Sequence, residues 1–130
     1  MRIVVISDTH TRHEELGIIT ADVLIHCGDG CDGFRRNRPD ADRLDEWFSR
    51  QRVNLVLAIG GNHDFEMERR SRRGLPVFAH AVYLEDRGYE YQGCTFYGHL
   101  GHRSSRAGRS FKTGKACGRS GQQSPWASMF

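Results

Sequence analysis

Three short apolar runs, each closed by polar residues or glycines, divide the first half of the chain. The runs are RIVVIS (2–7), DVLIHC (22–27) and VNLVLAI (53–59). Runs of this length, rich in β-branched residues and ended by turn residues, are typical of strands that are buried on both faces. We therefore predict three parallel strands.

Helical patterns separate the strands. Thr11–Glu14 fits a capping box for a short helix after the first strand. A second helix is expected after Pro39, and its apolar residues share one face: Ala41, Leu44, Trp47 and Phe48. A third helix is expected to begin at Asp64, which suits an N-cap, and to end before Gly74.

The segment that follows predicts shorter strands. VFAHAVYLED (77–86) contains one of them, and GYEYQGCTFYG (88–98) predicts a hairpin that turns at Gln92-Gly93. Strands alternating with helices and followed by a hairpin indicate an α/β fold with a largely parallel sheet. In such folds, ligands bind at the carboxyl ends of the strands.

Unusual polar residues stand at these three strand ends. The clusters are Asp8-Thr9-His10, Gly28-Asp29 and Gly61-Asn62-His63-Asp64. A carboxylate and an imidazole two residues apart can hold one cation. Asp29 can reach the same cation and can also bridge to a second one. The amide oxygen of Asn62 is a neutral ligand suited to that second cation. Mixed oxygen and nitrogen ligands favour Mn²⁺, Fe or Zn²⁺. Two such ions about 3.5–4 Å apart form the clamp used for displacement at phosphorus.

The motifs D-x-H (8–10), G-D (28–29) and G-N-H-D (61–64), in this order and at strand ends, resemble those of the calcineurin-like metallophosphoesterases. The resemblance covers residues 1–98, and the runs ADVLIHCGD and LAIGGNHDFE resemble especially the small cytosolic branch that cleaves phosphodiesters. It implies the N-terminal half of an αββα sandwich, two divalent metal ions and a phosphoester substrate.

The resemblance also implies roles for single residues. Asp8, His10 and Asn62 would be metal ligands, and Asp29 would bridge both ions. His63 would stabilise or protonate the leaving group, and Asp64 would orient its imidazole. Taken alone, an Asp or Asn after a strand is usually a turn residue or a helix cap, and Asp64 could be only an N-cap.

The other histidines and the cysteines receive plainer interpretations. His26 lies inside its strand and is expected to be a packed structural residue, whereas His13 and His80 are expected at the surface or at helix ends. We expect thiols rather than disulfides in a chain without an export signal. A zinc knuckle is the weaker alternative because no C-x₂-C pair is present among Cys27, Cys31, Cys94 and Cys117.

No targeting or membrane segment is predicted. The first ten residues, MRIVVISDTH, have an apolar run of only four residues and no cleavage site of small residues. No run of about 18 apolar residues occurs, so we expect no contact with a membrane and a cytoplasmic location.

Composition changes after residue 98. Residues 1–98 contain 13 Arg, no Lys and 16 Asp or Glu, whereas residues 99–130 contain four Arg, two Lys and no acid. The second segment also has no Ile, no Val and one Leu, so it cannot bury enough apolar area to offset the entropy of ordering. We predict an incomplete phosphoesterase domain over 1–98 and a basic tail over 99–130 that is disordered or foreign to the fold. Truncation, a frame shift or a fused tail would each produce this break.

The segment GHLGH (98–102) resembles the family's G-H-x-H element only superficially. Its two histidines, His99 and His102, are three residues apart instead of two. We interpret the segment as accidental, and the alternative is that one of these histidines replaces a missing ligand.

Two functions remain open: a metal-dependent phosphoesterase, inactive if the later histidines are not replaced, and a non-catalytic module that binds nucleic acid or another polyanion through the basic tail.

Overall fold

The computed structural model describes residues 1–33 and 38–99. Two α-helices are present in this part of the chain, α1 (Arg38–Ser49) and α2 (Phe65–Arg72), together with a 3₁₀ turn at His13–Leu16. The strands are β1 (Ile3–Ile6), β2 (Thr20–His26), β3 (Arg52–Ala58), β4 (Val82–Tyr83), β5 (Arg87–Tyr91) and β6 (Cys94–Gly98).

The first four strands form one parallel sheet in the order β1-β2-β3-β4. Val5 pairs with Ile25, and Ile25 pairs in turn with Leu57, so the apolar runs of β1, β2 and β3 lie in register. Strands β5 and β6 form a separate antiparallel hairpin. The predicted α/β fold is confirmed, and the sheet with its helices corresponds to part of an αββα sandwich.

The core lies on both faces of the parallel sheet. The predicted face of α1 is buried against Leu24 and Val56, and each of its members is at most 2% exposed: Ala41, Leu44, Trp47 and Phe48. The opposite face contains Val23, Ile25 and Leu57, which pack against aromatic residues of the hairpin. Full burial of a large apolar side chain stabilises a fold by about 1.5–3 kcal/mol, so these two faces fix the sheet between α1 and the hairpin.

Two turn predictions are confirmed in detail. At the end of α2, Gly74 has a φ of 66°, and the amide of Leu75 donates to the carbonyl of Arg70 at 2.9 Å. This is the Schellman arrangement that a glycine at C′ predicts. In the hairpin, Gln92 and Gly93 have φ values of 49° and 73°, as expected for a type I′ turn.

The predicted capping box at Thr11 is wrong. Thr11 has a φ of 67° and its amide donates to the carbonyl of Gly30, while Arg12 precedes the 3₁₀ turn without capping it through its side chain. The backbone amide of Thr11 therefore joins the loop after β1 to the loop after β2. His13 does lie at a helix end, but it is 2% exposed and packs on Trp47, so a surface position is wrong for this residue. His80 is exposed, as expected.

No helix in the described ranges is long and apolar enough to cross a membrane. The predicted basic tail lies outside the described residues, apart from His99. The domain boundary after residue 98 therefore stays a prediction.

Candidate metal centre

The pairing of β1 with β2 continues into the loops that follow both strands. Three backbone hydrogen bonds of 2.9–3.0 Å join the loops: Asp8 to Gly28, His10 to Asp29 and Thr11 to Gly30. Asp8, His10 and Asp29 have φ values of 54°, 42° and 55°. Such a conformation costs a non-glycine residue about 1–3 kcal/mol and is concentrated at functional sites. The two loops are thus held side by side in a strained backbone conformation.

The same loops bring three metal-ligating side chains together. One ligand atom from each of Asp8, His10 and Asp29 lies within 4.8 Å of the other two. Nδ1 of His10 lies 3.1 Å from the carbonyl oxygen of Cys31. A carbonyl can only accept, so Nδ1 carries the hydrogen and Nε2 is the nitrogen available to a metal. This donor set of two carboxylates and an imidazole fits Mn²⁺, Fe or Zn²⁺.

Asp64 clamps the loop after β2 to the loop after β3. Its side chain is buried, and the carboxylate accepts hydrogen bonds from the amides of Asp29 (2.8 Å), Cys31 (2.9 Å) and Gly61 (2.6 Å). Hydrogen bonds to an ionised group are about twice as strong as neutral ones, so three of them offset the cost of burying this charge. Asp64 does precede α2, but its side chain does not cap the helix.

His63 is held by contacts to the loop after β2. Its amide donates to Oδ1 of Asp29 at 2.9 Å, and its Nδ1 lies 3.2 Å from the carbonyl oxygen of Asp32. The ring also meets that of His10 edge-on, with 4.9 Å between centroids. Asp32 therefore supplies a contact to Nδ1 of His63, and the role of Asp64 in orienting this imidazole stays a prediction.

Asn62 lies in the exposed turn that follows β3. Gly61 directly precedes it and approaches Asp29 so closely that a Cβ on Gly61 would overlap Oδ1 of Asp29. This approach brings the turn to the edge of the sheet where Asp8, His10 and Asp29 converge. The role of Asn62 as a ligand stays a prediction.

These motifs and their arrangement agree with a comparison to known proteins. The chain matches the calcineurin-like phosphoesterase family over residues 1–114. It belongs to this family. It is also 26% identical to UPF0046 protein K07C11.7 of Caenorhabditis elegans, over an alignment of 116 residues that covers 78% of this chain and 39% of the relative. The chain thus spans about two fifths of the length of this curated relative.

His99 takes no part in the donor group formed by Asp8, His10 and Asp29. Its Nδ1 contacts Oδ1 of Asp86, the residue that precedes β5. The group formed by Asp8, His10 and Asp29 does not include it within the described ranges. His102 lies outside those ranges, so the interpretation of GHLGH stays a prediction.

Asp32 and Gly33 are the site residues that sequence reasoning missed. Asp32 acts through its backbone oxygen, and Gly33, with a φ of 90°, lies so close that a Cβ would overlap Nδ1 of His63. A contact made by backbone atoms leaves no chemical signature in a residue type. The one available signal was the spacing of glycines in GDGCDG (28–33), which marks a loop where the backbone approaches something closely.

His26 lies beneath the two loops, at the end of β2. It is 1% exposed, and burial lowers its pKa to about 4. The side chain is therefore neutral at pH 7. This confirms the expectation of a packed structural histidine.

The depressed pKa of His26 predicts that the folded chain is sensitive to acid. The unfolded chain binds a proton at His26 near pH 6.5, whereas the folded chain binds it only near pH 4. Its contribution to the free energy of unfolding is therefore complete above pH 6.5 and is lost as the pH falls towards 4, on the order of 3 kcal/mol. Urea unfolding in EDTA at pH 7.5, 6 and 5 measures this loss. His26→Gln should show a shallower dependence between pH 6.5 and 5, and an unchanged slope would contradict the assignment.

Gly61→Ala is expected to destabilise the fold by about 3 kcal/mol, because the added Cβ would overlap Oδ1 and the amide nitrogen of Asp29. Urea unfolding of the metal-free chain is the measurement. Gly17→Ala is the control, since Gly17 has a φ of 65° but nothing within 4 Å of a Cβ, and backbone strain alone should cost about 1–2 kcal/mol there. A smaller loss at Gly61 than at Gly17 would argue against the close approach of the two loops.

Proposed function

We propose that this chain is a metal-dependent phosphoesterase with a two-metal centre that acts on phosphodiesters or phosphomonoesters, with Asp8, His10, Asp29 and Asn62 as metal ligands. Its hydrolysis is weak, or lost, where no later histidine completes the ligands of both ions. The observation that carries the proposal is the convergence of Asp8, His10 and Asp29 from two strand ends to within 4.8 Å. Mn²⁺, Fe and Zn²⁺ are the ions that this donor set favours. The free thiols of Cys27, Cys31 and Cys94 support a cytoplasmic location.

Asp29 is the residue suited to bridge two ions. Divalent ions, when bound, polarise the phosphoryl group and lower the pKa of water. Asp29 comes from the central strand β2, so its side chain lies between the loop after β1 and the turn after β3. Oδ1 accepts the amide of His63, and the carboxylate keeps further lone pairs on both oxygens. The carboxylate of Asp29 would therefore bind one ion together with Asp8 and His10, and a second ion together with Asn62.

The proposed role of His63 is to stabilise or protonate the leaving group. The carbonyl of Asp32 accepts the hydrogen on Nδ1 in both the neutral and the charged imidazole, so the ring keeps its orientation when it gains or loses a proton. The proton that moves is then the one on Nε2. Imidazole is suited to this work because its ordinary pKa lies near neutrality. The Asp64 carboxylate assists indirectly, because it fixes the amides of Asp29 and Gly61 that surround His63.

The test uses the purified 130-residue chain with added Mn²⁺ or Zn²⁺. Bis(4-nitrophenyl) phosphate and 4-nitrophenyl phosphate distinguish diesterase from monoesterase activity, and the metal content is measured in parallel. Weak metal-dependent turnover that EDTA abolishes is the expected result. Two equivalents of metal without turnover of either ester would contradict hydrolysis by this chain.

A non-catalytic polyanion-binding module is the second candidate. The excess of six positive charges without any acid over residues 99–130 favours it. Binding of single-stranded nucleic acid that falls steeply with salt, and is lost in a chain ended at residue 99, would support this function.

A further inference from the structure

His26 occupies the centre of the sheet directly below the candidate metal centre. It is the last residue of β2, and it pairs with Ile6 of β1 and Ala58 of β3. Its ring is 1% exposed and meets Phe48 of α1 edge-on, with 5.9 Å between centroids. The ring is thus fixed from below by the helix and has both nitrogens directed at the loops above.

Each ring nitrogen contacts a different loop. Nδ1 accepts the amide hydrogen of Gly28 at 3.2 Å, so the ring hydrogen lies on Nε2. Nε2 lies 3.1 Å from Oγ1 of Thr9 and donates to it. Thr9 stands between Asp8 and His10, and Gly28 directly precedes Asp29. One neutral imidazole therefore joins the loop that carries two of the ligands to the loop that carries the third.

The ring also contacts the second loop sterically. A Cβ on Gly30 would lie 3.2 Å from Cε1 of His26, so the backbone at Gly30 rests against the imidazole. Asp8, His10 and Asp29 have positive φ, and such conformations persist only where the surrounding structure over-determines them. The contacts of His26 in the protein interior provide part of the constraint that keeps these residues in that conformation.

We infer that His26 is a positioning residue, which acts through Thr9 and Gly28 to hold Asp8 and His10 at the spacing from Asp29 that a cation requires. The inference rests on the proposed metal site for its purpose, and on the two hydrogen bonds for its mechanism. Loss of a hydrogen bond that orients metal ligands lowers metal affinity by about 10–100-fold in other proteins, and we expect an effect in that range.

Two pairs of variants separate the hydrogen bonds from simple packing. Thr9→Val removes the hydroxyl at constant shape, whereas Thr9→Ser keeps it. His26→Asn keeps an oxygen near the position of Nδ1 for the amide of Gly28 but loses the donor to Thr9. His13→Gln is the control, because His13 is buried on Trp47 and lies outside the two loops.

The first measurement needs no metal. Amide hydrogen exchange of Asp8, His10 and Thr11 in EDTA reports the bonds that join the two loops. The measured quantity is the exchange rate of these loop amides divided by that of β3 amides. Thr9→Val and His26→Asn should each raise this ratio about tenfold, while Thr9→Ser and His13→Gln should leave it unchanged. An unchanged ratio in Thr9→Val would overturn the inference, even if His26→Asn failed to fold.

The second measurement is the affinity for Mn²⁺ by titration calorimetry. We expect about tenfold weaker binding for Thr9→Val, rescue by Thr9→Ser, and no further loss in the double variant with His26→Asn, because both changes break the same bridge. Additive losses, or a loss in His13→Gln as large as in Thr9→Val, would overturn it. Failure of the parent chain to bind Mn²⁺ would contradict the proposed function. The hydrogen-exchange experiment would still decide whether His26 joins the two loops.

Discussion

Asp29→Asn is expected to weaken the binding of Mn²⁺ by at least about 100-fold and to abolish phosphoester hydrolysis. The amide oxygen of asparagine can still accept the amide hydrogen of His63, so the change removes charge while it keeps the bond that joins the two loops. A cation between Asp8, His10 and Asp29 would lose one of two carboxylates. Since second-sphere changes alone cost 10–100-fold in affinity, loss of a direct ligand should exceed that range. Calorimetric titration and steady-state hydrolysis measure the two effects.

The matched control for Asp29→Asn is Glu90→Gln. Glu90 is an exposed carboxylate on β5, in the separate hairpin, and its replacement changes the net charge by the same amount. Mn²⁺ affinity and hydrolysis should be unaltered in this variant. If Asp29→Asn and Glu90→Gln weakened metal binding equally, the metal would be held by the overall charge of the protein and not by the predicted centre.

His63→Ala is expected to lower kcat by about 10²–10⁴-fold, the usual contribution of a general acid, while the bound metal changes by less than about twofold. The reason is the geometry of the ring, which lies beside His10 and is oriented by Asp32 but does not belong to the group of Asp8, His10 and Asp29. Hydrolysis of the aryl phosphodiester and metal analysis after gel filtration provide the two readouts.

His80→Ala serves as the control for His63→Ala, because His80 is an exposed histidine paired with Asp45 of α1. It should leave kcat unchanged. A loss of metal from His63→Ala in proportion to its loss of activity would instead identify His63 as a ligand. A fall in kcat of less than about fivefold would remove it from the proton transfer.

Local patterns predicted the sheet and helix α1 because burial of apolar side chains depends on spacing along the chain. The face formed by Leu44, Trp47 and Phe48 is buried as its periodicity requires, and β2 and β3 lie where their β-branched runs are. Parallel strands place their carboxyl ends at one edge, so the convergence of Asp8, His10 and Asp29 followed from the order of elements alone.

The contacts that complete the site could not be predicted in this way, because they join side chains to backbone groups far apart in sequence. Asp64 looked like a helix cap, yet its carboxylate accepts the amide of Asp29, 35 residues away. Thr11 looked like a capping residue, yet its amide pairs with Gly30 and its φ is 67°. Ser, Thr and Asp have several backbone partners open to them, and tertiary packing decides among those partners.

The clamp formed by Asp64 has a consequence for the order of events during synthesis. The ribosome synthesises the loop after β2 well before Asp64, because 35 residues separate Asp29 from Asp64. The carboxylate that accepts the amide hydrogens of this loop is therefore absent at first. Until β3 and the start of α2 have left the exit tunnel, the nascent chain can pair β1 with β2 but cannot fix the loop that carries Asp29. Contacts between residues distant in sequence form late because loop closure must precede them. The nascent chain should therefore acquire its affinity for divalent cations in one late step, after residue 64 has emerged.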